Sequence, residues 1–171
     1  MKSYNIRNYV IWKNEVAKLI HLLPEHGTDY HKYTRDQLIT LFLPLVENLA
    51  RKFSTSQQAS GVMTIMDLIQ EGNSGLTKAV DRIDWVRMDL SEDKEKTIKS
   101  FLSKRIRGGI RRAIDINRGD MRIPEHKLNE IRRSFGKDKK MVAMFFNSIF
   151  LSIDEPPKNN SEEDMIMQIP D

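Results

Sequence analysis

The side chains that most clearly suggest a chemistry are cationic and lie between residues 97 and 118. If these residues are placed about 100° apart, as in an α-helix, the cations fall on one side of the helix. They are Lys104, Arg105, Arg107, Arg111, Arg112 and Arg118, and Phe101 falls among them. Because cations bind phosphates and unpaired bases stack on aromatic rings, this side is predicted to bind single-stranded nucleic acid. A solvated charged face, with Phe101 packed against a neighbouring helix, is the alternative interpretation.

Two adjacent glycines, Gly108 and Gly109, lie inside the same stretch. Each costs a helix about 1 kcal/mol relative to alanine, so each needs a reason. Gly109 points towards the apolar side of the predicted helix, which indicates close packing against another helix. Gly108 points towards the basic side, which indicates a place where a nucleic-acid backbone can approach closely.

No set of side chains in the sequence indicates catalysis. His21, Glu25 and His26 resemble a zinc-protease pattern, but their spacing is wrong and Pro24 interrupts the helix. With His31 they could at most bind a metal adventitiously. There is no phosphate-binding glycine loop, no nucleophile elbow and no paired acid and base. We therefore expect no enzymatic activity, no resident metal and no cofactor.

Composition limits the class of protein further. The 171 residues fit one domain, or a compact domain with a tail, and 39% hydrophobic with 30% charged residues is typical of a soluble globular chain. The absence of Cys excludes disulfides and thiolate metal sites. No apolar run reaches the roughly 18 residues of a membrane span, and no signal peptide is recognisable, so we expect no membrane partner and a cytoplasmic location.

Charge is distributed unevenly along the chain. Residues 97–133 contain eleven Lys and Arg against four Asp and Glu, whereas residues 154–171 contain six acidic residues and one Lys. This contrast predicts two different surfaces, one basic and one acidic.

The elements that must position these side chains are predicted to be helices. Apolar spacing and end signals place them at about residues 6–23, 34–53, 64–83, 97–117 and 125–133, with a capping box at Thr34 and Gln37. Residues 54–61 read as a polar loop, 89–96 as a charged connector, 141–150 as a short apolar helix and those beyond 154 as an extended tail. The core side of the basic helix is predicted to be Ile98, Leu102, Ile106, Ile110, Ala113 and Ile114. No strand alternation is found, so the predicted fold class is all-α.

A longer and more specific pattern precedes the basic stretch. Residues 67–73 read DLIQEGN, and Gly75-Leu76 and Lys78-Ala79-Val80-Asp81 follow. This run resembles the polymerase-docking segment of the sigma-70 family of bacterial RNA polymerase sigma factors. Residues 106–114 (IRGGIRRAI) resemble the family's promoter-recognition helix, residues 121–126 (MRIPEH) the segment after it, and residues 151–156 with the acidic end the family's finger. The resemblance covers about residues 38–171.

The resemblance implies roles for individual side chains. Those at docking positions, which in the family contact the clamp coiled coil of the polymerase's largest subunit, are Asp67, Gln70, Glu71 and Asn73. Those expected to bind promoter DNA, as duplex or as melted strand, are Trp85, Phe101, Lys104, Arg105, Arg107, Gly108, Arg111, Arg112, Arg122, His126 and Asn129. Trp85 and Phe101 lie where family members place aromatics that capture unstacked bases.

The resemblance also implies an arrangement of domains. We expect an N-terminal helix and loop over residues 1–33, a compact helical bundle of the sigma region 2 type over 34–118, a region 3-like helical segment over 119–150 and an acidic finger-like tail over 151–171. A separate domain for the further upstream promoter element is not recognisable. This plan resembles that of bacteriophage late sigma factors, which can depend on a separate co-activator and would act in the cytoplasm of an infected host cell.

Two alternatives to an active sigma factor follow from the same residues. Lys104 and Arg105 stand where the family has two adjacent tryptophans, which favours a polymerase-binding adaptor or inhibitor that does not melt promoters. A stand-alone basic DNA-binding regulator is the other alternative. Copurification with core polymerase would distinguish the sigma factor and the adaptor from the stand-alone regulator. Run-off transcription would then distinguish the sigma factor from the adaptor.

Overall fold

The computed structural model describes residues 2–54, 63–117, 123–133 and 140. Six α-helices lie in this part of the chain: α1 (Lys2–His21), α2 (Arg35–Ser54), α3 (Ile65–Val80), α4 (Trp85–Asp89), α5 (Lys94–Ile116) and α6 (Glu125–Arg133). A single 3-10 turn, Tyr30–Lys32, precedes α2. None of the described residues forms a strand, which confirms the all-α prediction for that part of the chain.

Polar side chains fix where two of the long helices begin. At α2, the Thr34 amide donates to Gln37 Oε1 at 2.8 Å and the Gln37 amide donates to Thr34 Oγ1 at 3.4 Å, so the predicted capping box is confirmed. At α3, the Thr64 amide donates to Asp67 Oδ2 at 2.8 Å and the Asp67 amide donates to Thr64 Oγ1 at 3.3 Å. Each box satisfies amides at the start of its helix that would otherwise lack a partner.

The prediction of a charged connector over residues 89–96 is partly wrong. Trp85–Asp89 is a short helix, and α5 already begins at Lys94. The cause is local capping, since Asp84 Oδ1 accepts from the Arg87 amide at 3.2 Å and Asp93 Oδ1 accepts from the Lys96 amide at 2.9 Å. Aspartate is a favoured N-cap residue, and these two were the overlooked signals.

The core forms where α5 packs against α3 and α2. All six residues predicted for the apolar side of α5 are buried, and Ile98, Leu102, Ile106 and Ile110 are completely inaccessible. Leu68, Ile69 and Leu76 of α3 meet them from the other side, also at 0% exposure. The basic side of α5 is held outwards because its opposite side supplies this core.

Glycines lie at the crossing of these helices. A Cβ on Gly72 would be 2.5 Å from Val46 Cγ1, so only glycine fits there without a shift of α2 or its side chains. Gly75 faces the backbone of Arg105 and Ile106. A Cβ built on Gly109 would lie 3.6 Å from Gly75 Cα, which is an ordinary van der Waals contact. The predicted packing position of Gly109 is confirmed, although an alanine would fit there.

A polar contact attaches α1 to α2. Tyr9 Oη donates to Glu47 Oε1, and Lys13 Nζ lies 3.3 Å from the same oxygen. Burial, followed by the hydrogen bond to the Glu47 carboxylate, raises the pKa of the Tyr9 hydroxyl. Glu47 is itself 8% exposed, so this pairing compensates a largely buried carboxylate.

The chain divides into two compact units, Met1–Asn117 and Arg118–Asp171. The first contains α1 to α5, and the second contains α6, which the sequence predicted over residues 125–133. The predicted loop at 54–61 lies outside the described residues except for Ser54, and the predicted apolar helix at 141–150 and the finger-like tail lie outside them altogether. The domain boundaries stay a prediction.

Candidate functional site

The four side chains predicted to dock on polymerase occupy different environments on α3. Gln70 and Glu71 are exposed on the side of the helix opposite the core. Asp67 is exposed too, but its carboxylate is engaged in the capping box with Thr64. Asn73 is half-buried, and its Oδ1 has no hydrogen-bond partner among the described residues. Of these four side chains, Gln70 and Glu71 are therefore the two that are exposed and take no part in capping α3.

The predicted basic surface is present on α5. Lys104, Arg105, Arg107, Arg111 and Arg112 are all exposed. Gly108 lies in their midst with nothing within 4 Å of a Cβ built on it. Its predicted position on the basic side is thus confirmed, and packing gives no reason for a glycine there.

The cations line two neighbouring grooves. The first runs along α5 and is lined by Asp93, Glu95, Lys96, Lys99, Ser100, Ser103, Lys104, Arg107, Gly108 and Arg111. The second lies between α3 and α5, where Glu71 faces the groove that also contains Phe101, Arg105 and Arg112. A predicted docking side chain and predicted DNA-binding side chains therefore share one groove. Lys96 and Lys99 extend the basic surface towards the start of α5 and were not predicted to belong to it. Lys96 lies before residue 97, where the predicted helix began.

Phe101 is half-buried between the core and the surface. Its ring packs against the core cluster, and the Arg105 guanidinium lies 5.2 Å from the ring centroid. This is the distance range of a cation–π contact. The ring also lines a cavity with Ile83, Asp84 and Arg87. The packing interpretation of Phe101 is confirmed, and the ring also lines two surface grooves, whereas its binding of bases stays a prediction.

Trp85, the other predicted base-capturing aromatic, lines a different cavity from Phe101. Its ring contacts His31 on the 3-10 turn, with ring centroids 4.4 Å apart and 39° between the planes. Arg87, two residues further along α4, faces the Phe101 cavity instead. Successive positions on a helix diverge in this way, so α4 separates the two aromatics.

One aromatic contact of the basic surface was not predicted. The Arg111 guanidinium lies 5.9 Å from the centroid of the Phe53 ring, near the end of α2. No role was predicted for Phe53, because nothing in the local sequence relates residue 53 to residue 111. This contact holds Arg111 beside an apolar edge of the bundle.

The remaining predicted DNA-binding residues belong to the second unit. His126 and Asn129 are both exposed on α6 and, being three positions apart, lie on one side of that helix. Arg122 lies outside the described residues.

The described residues contain neither a metal-binding cluster nor a membrane-spanning helix. No group of three or more His, Asp or Glu side chains among them could hold a metal ion. None of the described helices is long and apolar enough to cross a membrane.

Comparisons with known proteins give the relatives of this chain. No family model matches it. It is 30% identical over 121 residues to an RNA polymerase sigma factor SigA of Mycoplasma genitalium, covering 71% of this chain and 21% of the relative. It is 32% identical over 107 residues to SigA of Lactococcus lactis subsp. cremoris, covering 63% and 26%. It is 29% identical over 139 residues to SigA of Clostridium acetobutylicum, covering 77% and 34%.

The chain thus spans 21% to 34% of the length of these curated relatives. These alignments cover 63% to 77% of this chain, and the all-α fold agrees with them. The chain belongs to the sigma-70 family of RNA polymerase sigma factors.

Proposed function

We propose that this chain binds bacterial core RNA polymerase and directs it to promoter DNA. The observation that carries the proposal is the pairing of two exposed surfaces on one helical bundle. Gln70 and Glu71 project from α3, and the cationic side of α5 lies next to them across a shared groove. A factor that links polymerase to DNA needs two such surfaces in a fixed relation, and the packed core between α3 and α5 supplies it.

In this proposal, Gln70 and Glu71 form the docking surface and contact the clamp coiled coil of the largest polymerase subunit. Asp67 contributes mainly by starting α3, and Asn73 offers its unpartnered Oδ1 near the edge of the surface. The exposed cations of α5 hold phosphates, and Phe101 and Trp85 receive bases as the duplex opens. The polymerase performs the chemistry, so the chain itself is not a catalyst.

The docking half is tested by charge reversal. Glu71→Lys should abolish copurification with core polymerase from the organism that encodes the chain. The matched control is Glu15→Lys, the same charge change at an exposed position on α1. If Glu71→Lys copurifies as well as the control, the docking surface is wrongly assigned. If neither the wild-type chain nor the control copurifies, the sigma factor proposal itself fails.

A polymerase-binding adaptor without promoter-melting activity is the second candidate. The observation in its favour is the Arg105 guanidinium over the Phe101 ring, at a position where the family has tryptophan. A cation held there competes with a base for the same ring face. Run-off transcription on duplex promoter libraries decides between the two. Defined start sites that depend on the chain support the sigma factor, whereas polymerase binding without them supports the adaptor.

A further inference from the structure

The cavity beside Trp85 contains a contact that the proposed function does not use. His31 and Trp85 are distant in sequence, yet their ring centroids are 4.4 Å apart. His31 lies on the turn Tyr30–Lys32, ahead of α2, and Trp85 is the first residue of α4. The Trp85 ring, which is proposed to receive a base, is therefore already in contact with the His31 ring.

A carboxylate holds His31 in this place. His31 Nε2 lies 2.9 and 3.0 Å from the two oxygens of Asp89, and since a carboxylate only accepts, Nε2–H is the donor. Lys94 Nζ lies 3.6 Å from the same carboxylate. The His31 and Asp89 side chains are 49% and 51% exposed, so water competes for their contact and the pair is weak.

The two rings line a cavity of about 220 Å³ with both charge signs at its rim. Tyr30 and Met88 are buried against it, while Asp29, Lys32 and Lys94 surround its mouth. An apolar floor with ammonium groups at the edge suits an unpaired nucleotide, whose base seeks a stacking partner and whose phosphate seeks a cation.

We propose that His31 is a gate for base capture at Trp85. In the free chain its imidazole fills the stacking position on the indole, and an unpaired base of single-stranded DNA takes that position by displacing it. This rests on the proposed function, because it requires that Trp85 receives a base. Stacking of a base on tryptophan contributes more binding free energy than an exposed ion pair does. Replacement of the His31 ring by a base is therefore favourable once a single strand is present.

Equilibrium binding of a short fluorescein-labelled oligo(dA) to the chain–core polymerase complex tests the gate. His31→Ala should bind the oligonucleotide about two- to fivefold more tightly, because the base no longer displaces a ring and its ion pair. Asp89→Asn should change the affinity in the same direction by less, because it weakens the ion pair and keeps the ring. The gain from His31→Ala should vanish in a Trp85→Leu background, which a merely structural role of His31 would not produce.

The matched control is His21→Ala, which removes an exposed histidine from α1 outside the cavity and should leave the affinity unchanged. A second readout uses the chain alone with Trp12→Phe, which leaves Trp85 as the single tryptophan. There, His31→Ala should make Trp85 fluorescence more accessible to acrylamide.

The outcomes separate the gate from the proposed function. Unchanged or weaker oligonucleotide binding by His31→Ala, together with a loss in Trp85→Leu, overturns the gate and leaves base capture at Trp85 intact. If Trp85→Leu binds as tightly as the wild-type chain, base capture at Trp85 fails and the gate fails with it. A gain in His31→Ala that persists in the Trp85→Leu background also overturns the gate.

Discussion

Neighbouring residues of this chain occupy different environments, and different roles are therefore proposed for them. Gly108 and Gly109 are adjacent, yet one faces open space and the other faces the backbone of α3. Asp67 and Glu71 lie one helical turn apart, yet the first caps α3 and the second is exposed in the groove shared with α5. Substitutions at such pairs therefore provide matched comparisons.

The first prediction at this scale concerns Gly108. Gly108→Ala should stabilise the chain by about 0.5–1 kcal/mol, because alanine favours the helix and a Cβ meets nothing there. If DNA approaches the backbone at this point, the same methyl should weaken DNA binding severalfold. Thermal unfolding and DNA-binding titration measure the two effects. Gly109→Ala adds the same methyl on the core side and should leave DNA affinity unchanged, and equal affinities for all three proteins would contradict the close approach.

The second residue-scale prediction concerns Phe101. Phe101→Leu keeps apolar contact with the core but removes the ring, so single-stranded DNA should bind about tenfold more weakly, within the 1–3 kcal/mol of a base stack. Phe101→Tyr retains a ring and serves as the control. Full transcription from duplex promoters by the Phe101→Leu protein would show that the ring does not take part in melting.

At the scale of elements, the apolar contact of α2 with α3 also includes one close approach at a glycine and one ion pair. Gly72 lies against Val46 in the middle of the contact. Arg35, at the start of α2, bonds Asp81, just beyond α3, through two nitrogens at 2.5 and 3.0 Å. The position of the proposed docking surface on α3 therefore depends in part on this contact with α2.

Gly72→Ala should destabilise the chain by about 1–3 kcal/mol, since the added methyl overpacks against Val46. Urea unfolding measures the loss. Gly75→Ala is the control on the same helix, because its Cβ would meet Ile106 Cα at an ordinary 3.4 Å. If the two variants are equally stable, α2 and α3 can move apart to accommodate the added methyl group at no measurable cost in stability.

The Arg35–Asp81 pair predicts a pH dependence. The hydrogen bond from the Arg35 guanidinium lowers the pKa of the Asp81 carboxyl below its usual 3.8. A depressed pKa in the folded state stabilises the fold above the unfolded pKa, and this contribution is lost as pH falls through the folded value. Asp81→Asn should therefore flatten the decrease of the melting temperature below about pH 4. Glu15→Gln is the control, and an identical acid profile for wild-type and Asp81→Asn chains would exclude the pair as a contributor.

At the scale of the whole molecule, the net charge of +4 understates the charge that DNA would meet. Five exposed cations lie on one side of α5, and Lys96 and Lys99 continue their groove. The acidic residues beyond 154 lie outside the described part of the chain. In the proposed function, polymerase docking through Glu71 and DNA binding through the cations therefore use opposite charges on two packed helices, α3 and α5.

Binding of single-stranded DNA should accordingly weaken steeply with salt. Each phosphate contact contributes about 0.7 to the slope of log affinity against log salt, so Arg107→Gln should make that slope shallower by about this amount. Titrations at several salt concentrations measure it. Arg7→Gln removes an exposed cation on α1 and should leave the slope unchanged. If the slope is the same for the Arg107→Gln and Arg7→Gln chains, Arg107 does not contact a phosphate of the bound DNA.

The sequence by itself determined the features that depend on near neighbours in the chain. The apolar spacing of α5, the Thr34–Gln37 capping box and the basic side of α5 follow from contacts within one or two helical turns. Overlooked aspartate caps at Asp84 and Asp93 were of the same local kind and could have been found.

Only the tertiary structure decided which distant residues meet. The fit of Gly72 against Val46 and the groove shared by Glu71 and Arg112 depend on how α2, α3 and α5 cross. The contact of the His31 and Trp85 rings depends on how the turn before α2 packs against α4. No local pattern specifies such contacts, because crossing geometry results from the packing of whole helix faces. Helix identity and charge were therefore readable residue by residue, whereas the accessibility of each functional side chain depended on its partners across the core.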